Sequence, residues 1–234
     1  MSWARAVVSW SSGKDSAWAL QAAAADWGRM EVVGLLTTTS TAPAGAGQIA
    51  EPVERVSMHG VRRSLLDAQA AALGLPLHVV ELPWPCTNEL YQARMGAMVQ
   101  ALVADEIEIV VFGDLFLEDV RAYRERMLEG TGLRPVFPLW GRDTRELAEA
   151  MIAGGLEATL SCVDLAKLPR EFVGRRFDAE LLADLPEGVD PCGERGEFHT
   201  FVSRAPGFAA AIEITRGELV EREGFAWIDL VTPA

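Results

Sequence analysis

The chain has 234 residues, half of them hydrophobic, and a formal net charge of −13. That length allows one large domain or a domain with a smaller lobe, and the acidic balance argues against a broad basic surface for RNA or DNA. No apolar run reaches membrane-span length and the segment 1–5 lacks the apolar stretch of a signal peptide, so the expectation is a soluble cytoplasmic protein.

In chain order, 4–9 reads as a buried strand, 15–25 as an Ala-rich helix and 31–37 as a second strand. Pro43, Gly45, Gly47 and Pro52 mark a loop over 40–52. A helix over 60–73 ends at Gly74, where a left-handed cap belongs. Strand 77–82 is broken by Pro83-Trp84-Pro85, and helix 88–105, strand 107–112 and helix 118–128 follow. Strands alternating with helices predict a doubly wound parallel α/β sheet. After this the pattern changes. Pro135 and the run Phe137-Pro138-Leu139-Trp140-Gly141 read as irregular. A helix over 144–152 follows an Asp143 cap, then a strand over 158–163, a helix over 171–185 and a loop over 189–196. Strand 198–203 and the segments 211–214, 218–223 and 225–231 alternate like antiparallel strands. The reading is a domain over 1–132 and a smaller C-terminal α+β lobe over 133–234.

Ser11-Ser12-Gly13-Lys14-Asp15-Ser16 lies between the first strand and the first helix. Gly13 permits close backbone approach to an anion. The helix N-terminus supplies free N–H groups and a favourable dipole. Ser11, Ser12 and Ser16 add hydroxyls and Lys14 adds positive charge. The stretch is not the Walker pattern, and Ser12 with Asp15 also reads as a helix cap that uses the same N–H groups. In doubly wound sheets ligands bind at the carboxyl ends of the strands. Gly113-Asp114 ends the fourth strand, so if the first and fourth strands are neighbours both turns line one crevice. A second dense segment is Asp190-Pro191-Cys192-Gly193-Glu194-Arg195-Gly196-Glu197-Phe198-His199-Thr200. Its Glu and His side chains can move a proton or bind an amine; a polar turn before a strand is the plainer reading.

The first loop resembles the pyrophosphate-binding loop (S-[SG]-G-x-D-S) of enzymes that split ATP into AMP and pyrophosphate. Together with the second segment it resembles the diphthine–ammonia ligase family, a branch of the PP-loop (adenine nucleotide alpha-hydrolase) ATP pyrophosphatases. Ser57-Met58-His59-Gly60, Gly113-Asp114, Pro135 to Trp140, Cys162-Val163-Asp164 and Gly174-Arg175 fit the same pattern, so the likeness runs along essentially the whole chain. Two departures stand out. Arg195 occupies a position where the family usually has Asn, and the run Asp114 to Arg121 is closer to the bacterial branch than to archaeal and eukaryotic members. Diphthine exists only in archaea and eukaryotes, so a bacterial member would need another substrate.

The resemblance implies a HUP-like, Rossmann-like fold and an amide-forming ligase. ATP adenylates a carboxylate, pyrophosphate leaves, and ammonia displaces AMP. It implies ATP contacts at Ser11, Ser12, Gly13, Lys14, Asp15, Ser16, Thr38, His59, Gly113 and Asp114. Magnesium would sit at Asp15 and Asp114. Lys14, Glu194, Glu197 and His199 would be catalytic, and Arg121, Arg124, Cys192 and Gly193 would meet the substrate. Several of these residues have plainer readings, as strand (Thr38), cap or core (His59) or solvated helix face (Arg121, Arg124). The partners would be ammonia and a small-molecule or protein carboxylate, with no nucleic acid and no membrane; a homodimer stays open. Two other classes remain. A sulfur transferase would use Cys162 and Cys192, and a nucleotide sensor of the stress-protein type would bind without turnover. Replacing both cysteines tests the first; AMP formation tests the second.

Overall fold

The computed structural model describes residues 3–26, 30–40, 54–56 and 60–233. In chain order the elements are β1 (Ala4–Ser9), α1 (Lys14–Asp26), β2 (Met30–Ser40), β3 (Arg55–Val56), α2 (Arg63–Leu73), β4 (Leu77–Leu82), α3 (Asn88–Ala104), β5 (Ile109–Val111), α4 (Glu118–Leu128) and β6 (Arg134–Val136). These are followed by α5 (Thr144–Ala153), β7 (Glu157–Asp164), a 3₁₀ turn (Arg170–Phe172), α6 (Ala179–Asp184), β8 (Phe198–Arg204), β9 (Thr215–Arg222) and β10 (Phe225–Val231).

The first sheet is parallel through β4, β2, β1, β5 and β6, with β3 an antiparallel addition at the end of β2. The strand order reverses between β1 and β5, which are direct neighbours (Ala6 beside Ile109, Val8 beside Val111). The sheet is covered on both faces. Ala6 and Val8 of β1 point into a core shared with α1, α2 and the second lobe. Val7 points into the opposite core, with Met95, Val99 and Leu102 of α3 and Leu128 of α4. This two-sided burial is why β1 reads as a continuous apolar run. The second sheet is antiparallel, in the order β8, β7, β10, β9.

The expected α/β architecture with a smaller antiparallel lobe is present. So are the left-handed cap at Gly74 (φ 65°) and the Asp143 cap, whose carboxylate accepts the N–H groups of Arg145 and Glu146. Three elements differ from expectation. Residues 134–136 form β6 on β5, so the first sheet reaches past position 132. The helix expected over 171–185 is split: Gly174 turns at φ 79°, Arg176 bridges to Thr159, and α6 starts afresh behind an Asp178 cap. Segment 211–214 is not a strand; Ile212 N–H bonds to Ser203 O instead.

Candidate functional site

Loop 11–16 leaves the carboxyl end of β1 at the reversal of strand order. Ser12 holds a left-handed backbone (φ 69°), rare for a residue with a Cβ, and its hydroxyl is buried with no hydrogen-bond partner. The second lobe fixes this loop. Ser12 O accepts the N–H of Val202 (3.0 Å) and the side-chain amide of Gln69 (3.0 Å). Gln69 also reaches Val202 O (2.7 Å) and accepts the indole N–H of Trp10 (2.8 Å). Lys14 N–H donates to Thr200 Oγ1 at 3.1 Å. A Cβ at Gly13 would stand 3.2 Å from Thr200 O, a close approach. Gly113 is more tightly placed: its Cβ would meet the Asp15 backbone at 2.8 Å, so the β5 turn and the start of α1 touch main chain to main chain.

Lys14 is only 2% exposed. Its ammonium donates to both carboxylate oxygens of Asp15 (3.0 and 2.9 Å) and to Cys192 O, over the faces of Phe177 and Phe198. Burial penalises that charge, but the nearby Asp15 outweighs it together with other groups, and the ammonium is held above its usual pKa. Asp190 shapes the opposite loop. Its Oδ1 accepts the N–H groups of Cys192 (2.9 Å) and Glu194 (3.2 Å), and its Oδ2 accepts the Thr144 hydroxyl (2.7 Å). Glu194 then reaches across to the first sheet and accepts the N–H of Leu115 at 2.8 Å.

These walls enclose a cleft of about 250 Å³. Of the expected site residues, Ser11, Gly13, Lys14, Asp15, Ser16, Gly113, Asp114, Arg124, Gly193, Glu194 and His199 line it. Burial, reinforced by Asp15 and Asp114, pushes Glu194 up to about 7. Burial, reinforced by Lys14, holds His199 down to about 4, so its imidazole is neutral at pH 7. Burial also raises Asp114 against the pull of Arg124. Among the described residues no group of three His, Cys, Asp or Glu side chains is placed to hold a metal ion. The carboxylates that line the cleft are those of Asp15, Asp114 and Glu194.

The remaining expected residues lie elsewhere. Thr38 lines a second cavity of about 290 Å³ with Trp10, Thr37, Tyr91, Met95 and Phe112. Arg121 packs over Phe137 and Trp140 and pairs with Glu125 outside the cleft. Glu197 is buried behind the loop: one oxygen accepts Asp190 N–H at 3.3 Å and the other has no partner. Cys192 is buried too, its carbonyl on Lys14 and its thiol on Thr144 O. His59 lies outside the described residues. Sequence reasoning missed Gln69 and Trp10, which with Thr200 of the second segment hold the loop in place. Its one signal was a lone amide among the alanines of α2.

Sequence models of the family match both halves of the chain, the diphthamide synthase N-terminal domain over residues 4–135 and the C-terminal domain over residues 143–231. The chain is 27% identical to a diphthine–ammonia ligase of Bos taurus over 177 residues, covering 69% of this chain and 66% of that protein. It is 32% identical to the Danio rerio protein of the same name over 175 residues, covering 68% and 69% respectively. A Schizosaccharomyces pombe relative of that name is 31% identical over 120 residues, half of this chain but only 20% of its own length. The chain thus spans less than two thirds of the Bos taurus and Schizosaccharomyces pombe relatives it matches. With one family domain over each sheet and the two in order, the chain belongs to the diphthamide synthase family.

Proposed function

We propose that the protein is an ATP-dependent, AMP-forming ligase that adenylates a carboxylate and transfers ammonia to it. The observation that carries this reading is the single cleft shared by the loop after β1 and the Gly193–Glu194 turn of the second lobe. The first wall suits phosphates: helix N–H groups, serine hydroxyls and a Gly turn at the strand-order reversal. The second supplies acid–base groups. Glu194, with a pKa of about 7, is poised to take the proton that ammonia sheds as it attacks. His199 enters the cleft as a neutral imidazole able to orient the nucleophile. Enclosure between two lobes keeps water from an acyl-adenylate.

Asp15 and Asp114 would hold a magnesium ion. The fit is tested by Asp114 Oδ2, a buried oxygen with no hydrogen-bond partner. When bound, the ion would neutralise charge on the departing pyrophosphate. The acceptor is a small-molecule or protein carboxylate, and free ammonia is the nitrogen donor. The sulfur-transfer reading loses support at the cysteines. Cys162 and Cys192 are both buried, burial pushes the Cys162 thiol up to about 12, and the Cys192 thiol is raised as well.

Phosphorus NMR of the protein with ATP, magnesium and ammonium, using hydroxylamine as an acyl trap, tests the proposal. AMP with pyrophosphate is the expected result. ADP with orthophosphate would remove the adenylation mechanism, and nucleotide binding without any turnover would favour the sensor.

A further inference from the structure

The chain contains two lysines, Lys14 and Lys167. The one in the nucleotide loop is already committed. Its three donor sites are taken by two Asp15 oxygens and Cys192 O, and two aromatic faces enclose it. Arg124 is placed differently. It lines both the cleft and the neighbouring 290 Å³ cavity, with its guanidinium 5.0 Å above Phe112. Its Nε is buried without a hydrogen-bond partner, and so is Asp114 Oδ2; the two atoms lie 3.7 Å apart. At that distance they attract but do not hydrogen-bond. A buried polar pair left incomplete costs stability until something completes it.

The two cavities meet at Ser9, Ser11, Phe112 and Arg124. The larger one is lined mostly by Leu, Val, Met and aromatic side chains and suits a nucleobase and its sugar. The smaller one, around loop 11–16, suits the phosphates. A nucleotide lying across both brings its first phosphate to the seam.

We propose that Arg124, and not Lys14, is the cation that binds the α-phosphate of the nucleotide. The inference rests on the nucleotide reading above and names the residue that acts at its reacting atom. In adenylation a carboxylate oxygen bonds to the α-phosphorus. The bond from that phosphorus to its bridging oxygen breaks, and pyrophosphate leaves with the electron pair. The planar fork of Arg124 matches the two non-bridging oxygens on which charge gathers. Lys14 instead ties loop 11–16 to the Cys192 turn and keeps the cleft walls in register.

Calorimetric affinities for adenosine and for AMP, without metal, separate the roles. In Arg124→Gln the affinity for AMP relative to adenosine should fall roughly tenfold or more, since the variant removes charge-assisted hydrogen bonds to the phosphate. Arg124→Lys keeps the charge but not the fork and should recover part of the loss. An unchanged AMP-to-adenosine ratio in both variants overturns the assignment while leaving the nucleotide site standing. A wild-type protein that binds neither ligand removes the nucleotide reading and this inference with it. Reductive methylation of the native wild-type protein needs no variant. Lys167 should be modified and Lys14 spared, with or without ATP. A Lys14 that reacts in the free protein and is shielded by ATP would return the phosphate contact to the lysine.

Discussion

His199 gives the clearest case of a single side chain whose charge state follows from its surroundings. Burial and the nearby Lys14 hold its folded pKa to about 4, against 6.5 for the free side chain. The unfolded chain therefore takes up a proton that the folded one refuses. The stabilising contribution is complete above about pH 6.5 and is lost as pH falls towards 4. In His199→Gln the urea midpoint should decline less steeply over that window than in the wild type. Equal slopes would mean that the imidazole is solvated in the folded protein. At this scale the sequence was partly legible. The Ser-Ser-Gly-Lys-Asp-Ser loop and the Cys192 to Thr200 segment were visible because they concentrate rare residue types, and most of them meet in one cleft. The direction of each side chain was not visible. Arg121 and Arg124 sit three apart, about 300° around a helix, and that residual angle sends one over Trp140 and the other into the cleft. Lys14 and Glu197 turn inward because of contacts from residues more than a hundred positions away or folded back from the same turn, which local spacing does not encode.

Among the elements, the contact between the β5 turn and the start of α1 depends on the absence of one side chain. Gly113→Ala would set a Cβ 2.8 to 3.0 Å from Asp15 C, Asp15 O and Ser16 N, all backbone atoms with no rotamer to relieve the clash. Overpacking of this kind costs about 1–3 kcal/mol. Urea unfolding should register that loss, and adenosine affinity should change less than AMP affinity because the displaced backbone belongs to the wall proposed to hold the phosphates. A midpoint equal to the wild type would show that the two turns have room to separate. The elements with strong periodicity or long apolar runs were readable from sequence: β1, β2, β4, β5, β7 and all of the longer helices. β6 was hidden by Pro135. Proline argues against a central strand, yet β6 pairs only with β5 at the sheet edge, where a missing N–H is tolerated. The split at Gly174 was hidden for the opposite reason: helical residues flank it, and the turn is fixed by the bridge to Thr159 in another strand.

For the molecule as a whole, the two sheets share one core. Leu35 and Leu65 belong to the same buried cluster as Leu160, Phe198 and Phe201. Asp229 of β10 adds a polar join, accepting from Arg55 (3.0 Å) and from both Arg62 Nε (2.9 Å) and Nη2 (2.6 Å) across to the first sheet. Scanning calorimetry should therefore record one cooperative transition, with calorimetric and van't Hoff enthalpies in agreement. Two resolved peaks would show lobes that melt independently. The bonds from Val202, Gln69 and Thr200 to loop 11–16 have a consequence for inheritance. The first half encodes loop 11–16, but the second half holds that loop in its strained shape. A gene fragment carrying only the first family domain would transmit the motif without the contacts that hold it in place. Recombination that exchanged either half for an unrelated one would be selected against before any question of substrate arose, so the two domains are expected to descend as a single unit.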